Sequence, residues 1–313
     1  MFLLLYRCMK QEKTRYIDLH SHTNYSDGLY TTPRQNVMLA ALNGLDVFAV
    51  TDHDTTLGYY EAKSEAMNVG ITLLPGVEIT TPRYHLLSLN FDPENRPLLD
   101  FLQSSKDIQR DRCKSRVNAL RAYGYDLTFN EITDAFPDSR LAKYNIFAAM
   151  FMNSKCRDRM ENDYPGLLPL QRFRKLFSKE GPMGHLPDDG VSETEAINYV
   201  HNAGGIIGIA HPPRDIEYMD EMNALLKLGI DFVEVQPHFR GREYKKYKTE
   251  DFEKFARENN LPLSYGSDYH GSTFDRVILG REENVLNSDL EELLNLGYVK
   301  IPKFRPENVC CFY

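Results

Sequence analysis

Tyr16-Ile17-Asp18-Leu19-His20-Ser21-His22-Thr23, continuing into Asn24-Tyr25-Ser26-Asp27-Gly28, joins a strand-like pattern to three side chains able to bind a metal. Its first half alternates in polarity like a short β strand, so residues two apart face the same way. His20 and His22 therefore converge on one point, and Asp27 arrives from the turn just beyond. Two neutral imidazoles and a carboxylate are a donor set that borderline divalent ions prefer. One His-x-His is common by chance in a chain of 313 residues. It gains meaning only if the rest of the chain delivers more ligands to the same place.

Working outward, the chain reads as repeated βα units. Pro33–Asn43 is a helix with Thr32 as its N-cap, Pro33 in its first position and Gly44 ending it. Asp46–Thr51 is a buried strand that runs into Asp52-His53-Asp54. A helix over Gly58–Asn68 closes at Gly70, and strands follow over Ile71–Ile79 and His85–Phe91. This rhythm indicates an α/β protein with a mainly parallel sheet or barrel. It breaks at Leu98–Tyr123, a long charged helix, and helical or irregular sequence continues to about Gly181. The rhythm returns with a helix at Ser192–Asn202, a strand ending in His211-Pro212, a helix near Asp220–Leu228, a strand ending in Pro237-His238, a helix at Thr249–Asn259, and a strand delivering Ser267-Asp268-Tyr269-His270. The expected organisation is a barrel built from residues 1–95 and 182–313, with a mostly helical lobe inserted at 96–181.

The strand ends carry the chemistry. They hold His20 and His22 with Asp27, then His53, Glu78, His211, His238, and finally Asp268 and His270. His85 is the exception, because it begins its strand. In parallel α/β barrels functional residues gather at the rim formed by the C-terminal strand ends. A multinuclear metal site is the expectation.

His20-Ser21-His22-Thr23, Thr51-Asp52-His53-Asp54, Gly76-Val77-Glu78-Ile79, Ala210-His211-Pro212 and Ser267-Asp268-Tyr269-His270 resemble, in order, the motifs of the PHP (polymerase and histidinol phosphatase) family of metal-dependent phosphoesterases. The resemblance spans about Tyr16 to Gly271 and is nearest to the stand-alone branch that includes nucleoside 3′,5′-bisphosphate phosphatases. The arginine-rich helix of that branch is echoed by Ile108–Arg116. The resemblance implies a distorted seven-stranded (β/α) barrel of TIM-like form with two to three divalent ions, manganese, iron or zinc. It places one ion on His20, His22, Glu78 and Asp268. A second shares Glu78 and adds His85 and His211, and a third takes Asp27, His53 and His270. In the insertion of this branch an Arg-Pro-His motif helps hold the substrate phosphate. The matching stretch here is Ser139–Asn145, in which Arg140 or Lys143 stands in for that cation.

Arg214, just past His211-Pro212-Pro213, is a candidate phosphate clamp, since guanidinium binds phosphate through two parallel hydrogen bonds. His238 and His185 are candidates for a pocket role or for the general acid. Asp18 is read as orienting a ligand imidazole, and His201 as structural.

Bulk properties bound the function. The net charge is −8, which argues against a general polyanion binder. Residues 96–180 hold 16 Lys and Arg against 11 Asp and Glu, a balance of +5 that leaves −13 elsewhere. An acidic body with a basic insertion suits a metal cage facing an anionic substrate. The five cysteines form no C-x-x-C pair and read as free thiols of a reducing cytosol. The apolar run at Met1–Leu5 is too short for a membrane span, and Tyr313 is a poor prenylation terminus. A cytoplasmic enzyme is expected, one that hydrolyses a small phosphomonoester, most simply a nucleotide. The alternatives are a phosphodiesterase acting on short RNA from its 5′ end, a histidinol phosphatase, and a non-catalytic PHP accessory module.

Overall fold

The computed structural model describes residues 14–178, 181, 190–236, 246–271, 278–280 and 284–302. The first units are β1 (Ile17–Asp18), α1 (Pro33–Leu42), β2 (Val47–Val50), α2 (Leu57–Val69) and β3 (Thr72–Thr80). Thr32 and Gln35 cap α1 reciprocally, and Pro33 occupies the first turn, where its missing N–H leaves nothing unsatisfied. Gly70 ends α2 in the left-handed conformation at φ 77°.

β4 (His85–Leu89) is followed by α3 (Arg96–Ala122), α4 (Phe129–Ala135), α5 (Lys143–Met152), α6 (Ser154–Asp163) and α7 (Pro169–Phe177). The chain returns through α8 (Glu193–Asn202), β5 (Ile206–Ile209), α9 (Pro212–Asp215), α10 (Met219–Leu228), β6 (Phe232–Val235), α11 (Thr249–Glu258), β7 (Leu263–Tyr265) and α12 (Ser288–Leu294).

The seven strands lie in the order β1 to β7. Neighbours pair in parallel except at β4, which is antiparallel to both β3 and β5. The sheet is thus mainly parallel, as expected, with one reversed strand. The cause is local. Only residues 81–84 separate β3 from β4, too few for a crossover, so the chain must turn back on itself. Thr81 makes that turn, its N–H bonding Tyr84 O at 3.0 Å. The reversal also explains His85. An antiparallel strand begins at the rim where its parallel neighbours end.

The two edge strands meet. Leu19 N donates to Tyr265 O (3.0 Å), Asp268 N to His20 O (2.9 Å) and His22 N to Tyr269 O (2.8 Å). The sheet is thereby nearly closed into a barrel, with its edges covered. Ile17, Leu19, Val47, Ala49, Leu74, Leu87, Leu89 and Phe232 fill one core, together with Leu290 and Leu294 of α12. The two-residue period of a strand puts Glu78 on the face of Leu74, His85 on that of Leu87, and Glu234 on that of Phe232. Other cores lie beneath α1 and α2, and beneath α8, α10 and α11.

The helical stretch has its own core, from Cys113, Val117 and Leu120 through Phe147 and Met150 to Leu176 and Phe177, joined by Leu29. Leu98, Phe101 and Leu102 of α3 belong instead to the core shared with α8 and α10. A single 27-residue helix therefore runs from one core into the other. Among the described residues no helix is long and apolar enough to cross a membrane.

Asn90 fastens the end of β4 to the segment after α12. Fully buried at φ 54°, it donates to Leu294 O (2.7 Å) and Val299 O (2.8 Å) and accepts from Val299 N (2.8 Å). Asn tolerates left-handed backbone better than Ala does, and truncation orphans three backbone partners, one buried and two part-buried. Asn90→Ala is expected to cost about 2–4 kcal/mol, read as a lower urea midpoint at unchanged slope.

Candidate metal centre

Glu78, at the rim end of β3, is fully buried, and both its oxygens face imidazoles. Oε1 lies 2.8 Å from His211 Nε2 and 3.1 Å from His85 Nδ1. Oε2 lies 3.2 Å from His20 Nε2, 3.1 Å from His22 Nε2 and 3.2 Å from His53 Nε2. Asp268 Oδ1 adds contacts of 3.1 Å to His22 Nε2 and 3.4 Å to His20 Nε2. On the far side of His22, Asp27 reaches His270 Nε2 at 3.3 Å and His53 Nε2 at 3.7 Å.

The nine residues that the family resemblance implies as ligands come together: His20, His22, Asp27, His53, Glu78, His85, His211, Asp268 and His270. They form overlapping groups with donor atoms close enough to share an ion. His22 joins two of these groups, and Asp215 joins His85 and His211 in another.

The donor set fits divalent cations. Ions with bonds near 2.1 Å space their ligand atoms roughly 3.0–3.4 Å apart, and the spacings around Glu78 fall close to that range. Glu78 Oε2 and Asp27 Oδ1 are buried carboxylate oxygens without a hydrogen-bond partner. In a dry interior such atoms are costly unless a cation faces them.

Electrostatics point the same way. Burial opposes the charge on Glu78, but the imidazoles around it overcome that and hold the carboxyl well below its usual range. Asp27 and Asp268 are likewise held low against burial, in both cases mainly by His270. Burial, helped by Arg140, keeps His53 well below its ordinary value, so this imidazole stays neutral and able to coordinate.

The surroundings hold the ligands in place. Asp52 accepts from Thr23 N (2.7 Å), Thr23 Oγ1 (2.6 Å) and Ser26 Oγ (2.6 Å), and Ser26 Oγ lies 3.3 Å from His22 Nδ1. Asp18 does not touch an imidazole, contrary to the sequence expectation. Its carboxylate accepts the backbone N–H groups of His20 (3.3 Å), Ser267 (3.0 Å) and Gly280 (2.7 Å), stapling β1 to the segments beyond β7. The acceptor on the His20 ring is Glu234, at 2.8 Å from Nδ1. The sequence carried a signal for it: a carboxylate inside the apolar run Phe232-Val233-Glu234-Val235, at the parity facing the core. Three residues here are non-glycine and left-handed: Asp54 (φ 55°), His211 (φ 31°) and Asp268 (φ 56°). Such strain is typical of backbone held to aim a side chain.

The expected substrate residues divide. Arg214 Nη1 donates to Asp268 Oδ2 at 2.7 Å while 41% of its side chain stays exposed, so it borders the cage. Arg140 is buried, with Nε 3.0 Å from Asp54 Oδ2. Asp54 Oδ1 also accepts from Ser105 of α3, and Asn145 Nδ2 donates to Ser26 O, so the helical stretch is fastened to the turn that carries Asp27. Lys143 begins α5, half-buried. Beside it Tyr144, which no sequence motif singled out, sits 6.0 Å from the His270 ring and stacks on Phe173 at 4.5 Å. His238 and His185 lie outside the described residues. His201 pairs with Asp231 at 2.8 Å, away from the cage, as a structural reading requires.

The cage gives a signed pH prediction. Burial disfavours protonated His270, but Asp27 and Asp268 outweigh it and push the imidazole from 6.5 up to about 10. With the folded value above the unfolded one, this charge stabilises the metal-free fold fully below about pH 6.5, and the contribution fades as pH rises toward about 10. An incoming ion must displace that proton. Zinc affinity is therefore expected to climb between about pH 6.5 and 9 while the melting temperature of chelator-stripped protein falls. Titration calorimetry in two buffers of different ionisation enthalpy counts the released protons, and a pH-independent affinity would contradict the assignment.

Comparison with known proteins agrees with this geometry. Residues 18–187 match the PHP domain. The chain is 29% identical over 268 residues to a 5′-3′ exoribonuclease of Haemophilus influenzae, covering 82% of this chain and 90% of that protein. It is 28% identical over 261 residues to a 3′,5′-nucleoside bisphosphate phosphatase of Chromobacterium violaceum, covering 81% and 87%. Among solved structures, a protein of Bifidobacterium adolescentis described as a metal-dependent phosphoesterase superposes with a TM-score of 0.75 at 25% identity, covering 90% of this chain and 96% of that one. The chain belongs to the PHP domain family of metal-dependent phosphoesterases.

Proposed function

We propose that this phosphoesterase hydrolyses a small phosphomonoester, a nucleotide or nucleoside bisphosphate, and that the nine rim residues hold two to three divalent ions of manganese, iron or zinc. The observation that carries this reading is Glu78. A carboxylate whose two oxygens face separate groups of imidazoles is built to bridge two cations. His20, His22 and Asp268 share one side, His85 and His211 the other, and Asp27, His53 and His270 complete a third position.

Ions held there supply water of lowered pKa and countercharge for the phosphoryl oxygens. The chain supplies the rest. Arg214, at the edge of the cage, neutralises and orients the incoming phosphate. Arg140, beneath the overhang, adds positive charge. No thiol competes as nucleophile among the described residues: Cys113 and Cys156 are buried in the helical core, where burial pushes them up to about 12 and about 11. Ser26 is fully buried and donates to Asp52. Water is the remaining attacking group.

Residues 96–181 are proposed as an inserted lobe that caps the cage and selects what lies beyond the scissile phosphate, with Lys143 facing a second phosphate or a nucleotide. The exoribonuclease relative supports a second reading, in which the same cage cleaves short RNA from its 5′ end.

Chelated protein reloaded with manganese, iron or zinc, and assayed on nucleoside 3′,5′-bisphosphates, simple nucleotides and short 5′-phosphorylated RNA, is expected to release inorganic phosphate from the first group. Mononucleotides released from RNA would favour the second reading, and no turnover of any phosphate ester would defeat both. Glu78→Gln is expected to lose metal and activity together, since an amide bridges cations poorly. Lys143→Ala should keep its metal and raise KM for the true substrate about 10- to 100-fold, the loss of one charge-assisted contact, while sparing a plain aryl phosphate. Arg140→Ala should in addition lower stability by about 3–5 kcal/mol, because it strands the buried Asp54 carboxylate.

A further inference from the structure

We propose that Glu234 is a positioning residue that aims two metal ligands from different strands, His20 and His211, from behind the cage. The inference rests on the reading of those histidines as ligands. Glu234 lies on the inward face of β6 and is 1% exposed. Its two oxygens do different work. Oε1 is 2.8 Å from His20 Nδ1, and Oε2 accepts the backbone N–H of His211 at 2.6 Å. Gln236 Nε2 adds a weaker donor to Oε2 at 3.3 Å.

With Nδ1 of His20 engaged by Glu234, Nε2 is the nitrogen left facing Glu78, Asp268 and His22. The second bond falls on a residue held at φ 31°, where an N–H with a fixed acceptor keeps the strained backbone from relaxing. One side chain thus fixes the ring of a ligand on one side of Glu78 and the backbone of a ligand on the other.

Glu234 reaches His20 only because the chain between them carries no side chain. Gly266, directly after β7, occupies that gap. A Cβ there would stand 2.3 Å from His20 Cβ and 2.6 Å from Glu234 Oε1. Gly266 lies outside the left-handed region, so its need is for space and not for backbone freedom. The carboxylate and the glycine form one device, and each can be altered separately.

Glu234→Gln keeps the shape but can accept only one of the two donors, since its amide NH2 must face either His20 Nδ1–H or His211 N–H. Gly266→Ala leaves every charge in place and wedges the pair apart. Chelator-stripped wild type and both variants are first checked for folding by circular dichroism and thermal melting, then titrated with zinc against a chromophoric competitor. Both variants, folded, are expected to bind zinc about 10- to 100-fold more weakly, the usual cost of losing the partner of a ligating histidine. A carboxylate that merely braced the fold would lower melting temperature and leave the zinc affinity of folded protein unchanged, so affinities within twofold of wild type overturn the proposal. Weak binding by Glu234→Gln beside wild-type binding by Gly266→Ala would assign the effect to charge and overturn positioning. If neither variant folds, imidazole 15N spectra of zinc-loaded wild type decide it, with His20 protonated at Nδ1 expected and protonation at Nε2 overturning. Wild type that takes up no zinc would defeat the metal reading itself, an outcome distinct from the others.

Discussion

Glu78 is a carboxylate with no access to water, against which five imidazoles converge. Taken alone, a buried ionised carboxylate is costly to hold in the fold. The imidazoles around it stabilise it in so far as they donate a hydrogen bond or carry, or hold, positive charge. Protons meet that need in the metal-free chain, which is why His20, His22, His85 and His270 all gain basicity despite burial that works against it. Divalent ions meet it better, because one ion faces several donors at once. The same convergence of carboxylates and imidazoles that binds protons in the metal-free chain gives it affinity for cations.

The barrel is shaped to deliver those donors. Six strands end at the rim and one begins there, and the short turn between β3 and β4 makes that reversal possible. Much of this was legible in the chain. Helix starts at Thr32 and Ser192 and the stop at Gly70 follow from local chemistry, and the structure places them where those residues direct. His-x-His and Asp-x-His at strand ends announced the cage, because a two-residue period needs no tertiary knowledge to interpret. The direction of β4 could not be read the same way. Direction is set by the length of a connection and by which neighbours remain free to pair, and polarity does not report either. His85, which begins its strand, reaches the rim through that antiparallel pairing. Asp18 misled for a related reason: parity puts it on the side of His20, yet its acceptor capacity is consumed by the backbone of the returning segment.

The helical stretch gains meaning from how it is tied down. Asp54, adjacent to His53, accepts from Ser105 and faces Arg140, while Asn145 and Ser139 bond the backbone at Ser26. Those links run to the very segments that carry His53 and Asp27. A rearrangement of α3 or α5 must therefore disturb donors of the third group, and ions bound there in turn favour the docked position of the helices. The helical stretch and the segments carrying His53 and Asp27 share one set of hydrogen bonds. Sequence could signal a basic stretch, but not that one of its buried arginines, Arg140, would face a carboxylate within the same motif as a ligand-type residue.

What makes such a crowded centre possible is as much missing atoms as present ones. Nine ligand-type side chains at one rim leave little room for the groups that must orient them. At Gly28 a Cβ would stand 2.7 Å from His22 backbone atoms, at Gly58 2.4 Å from Asp52 Oδ2, and at Gly266 2.3 Å from His20 Cβ. These glycines reserve space behind the two histidines of the opening motif and behind the carboxylate that steadies the turn. Close packing means that a single added carbon must move something, and what would move here is a ligand or its support. Ligand geometry in this cage is set from behind by rigid neighbours and strained backbone at His211 and Asp268, so little reorganisation is left for an arriving ion to impose. A preformed cage of this kind gains affinity because the cost of ordering its donors has already been met in folding.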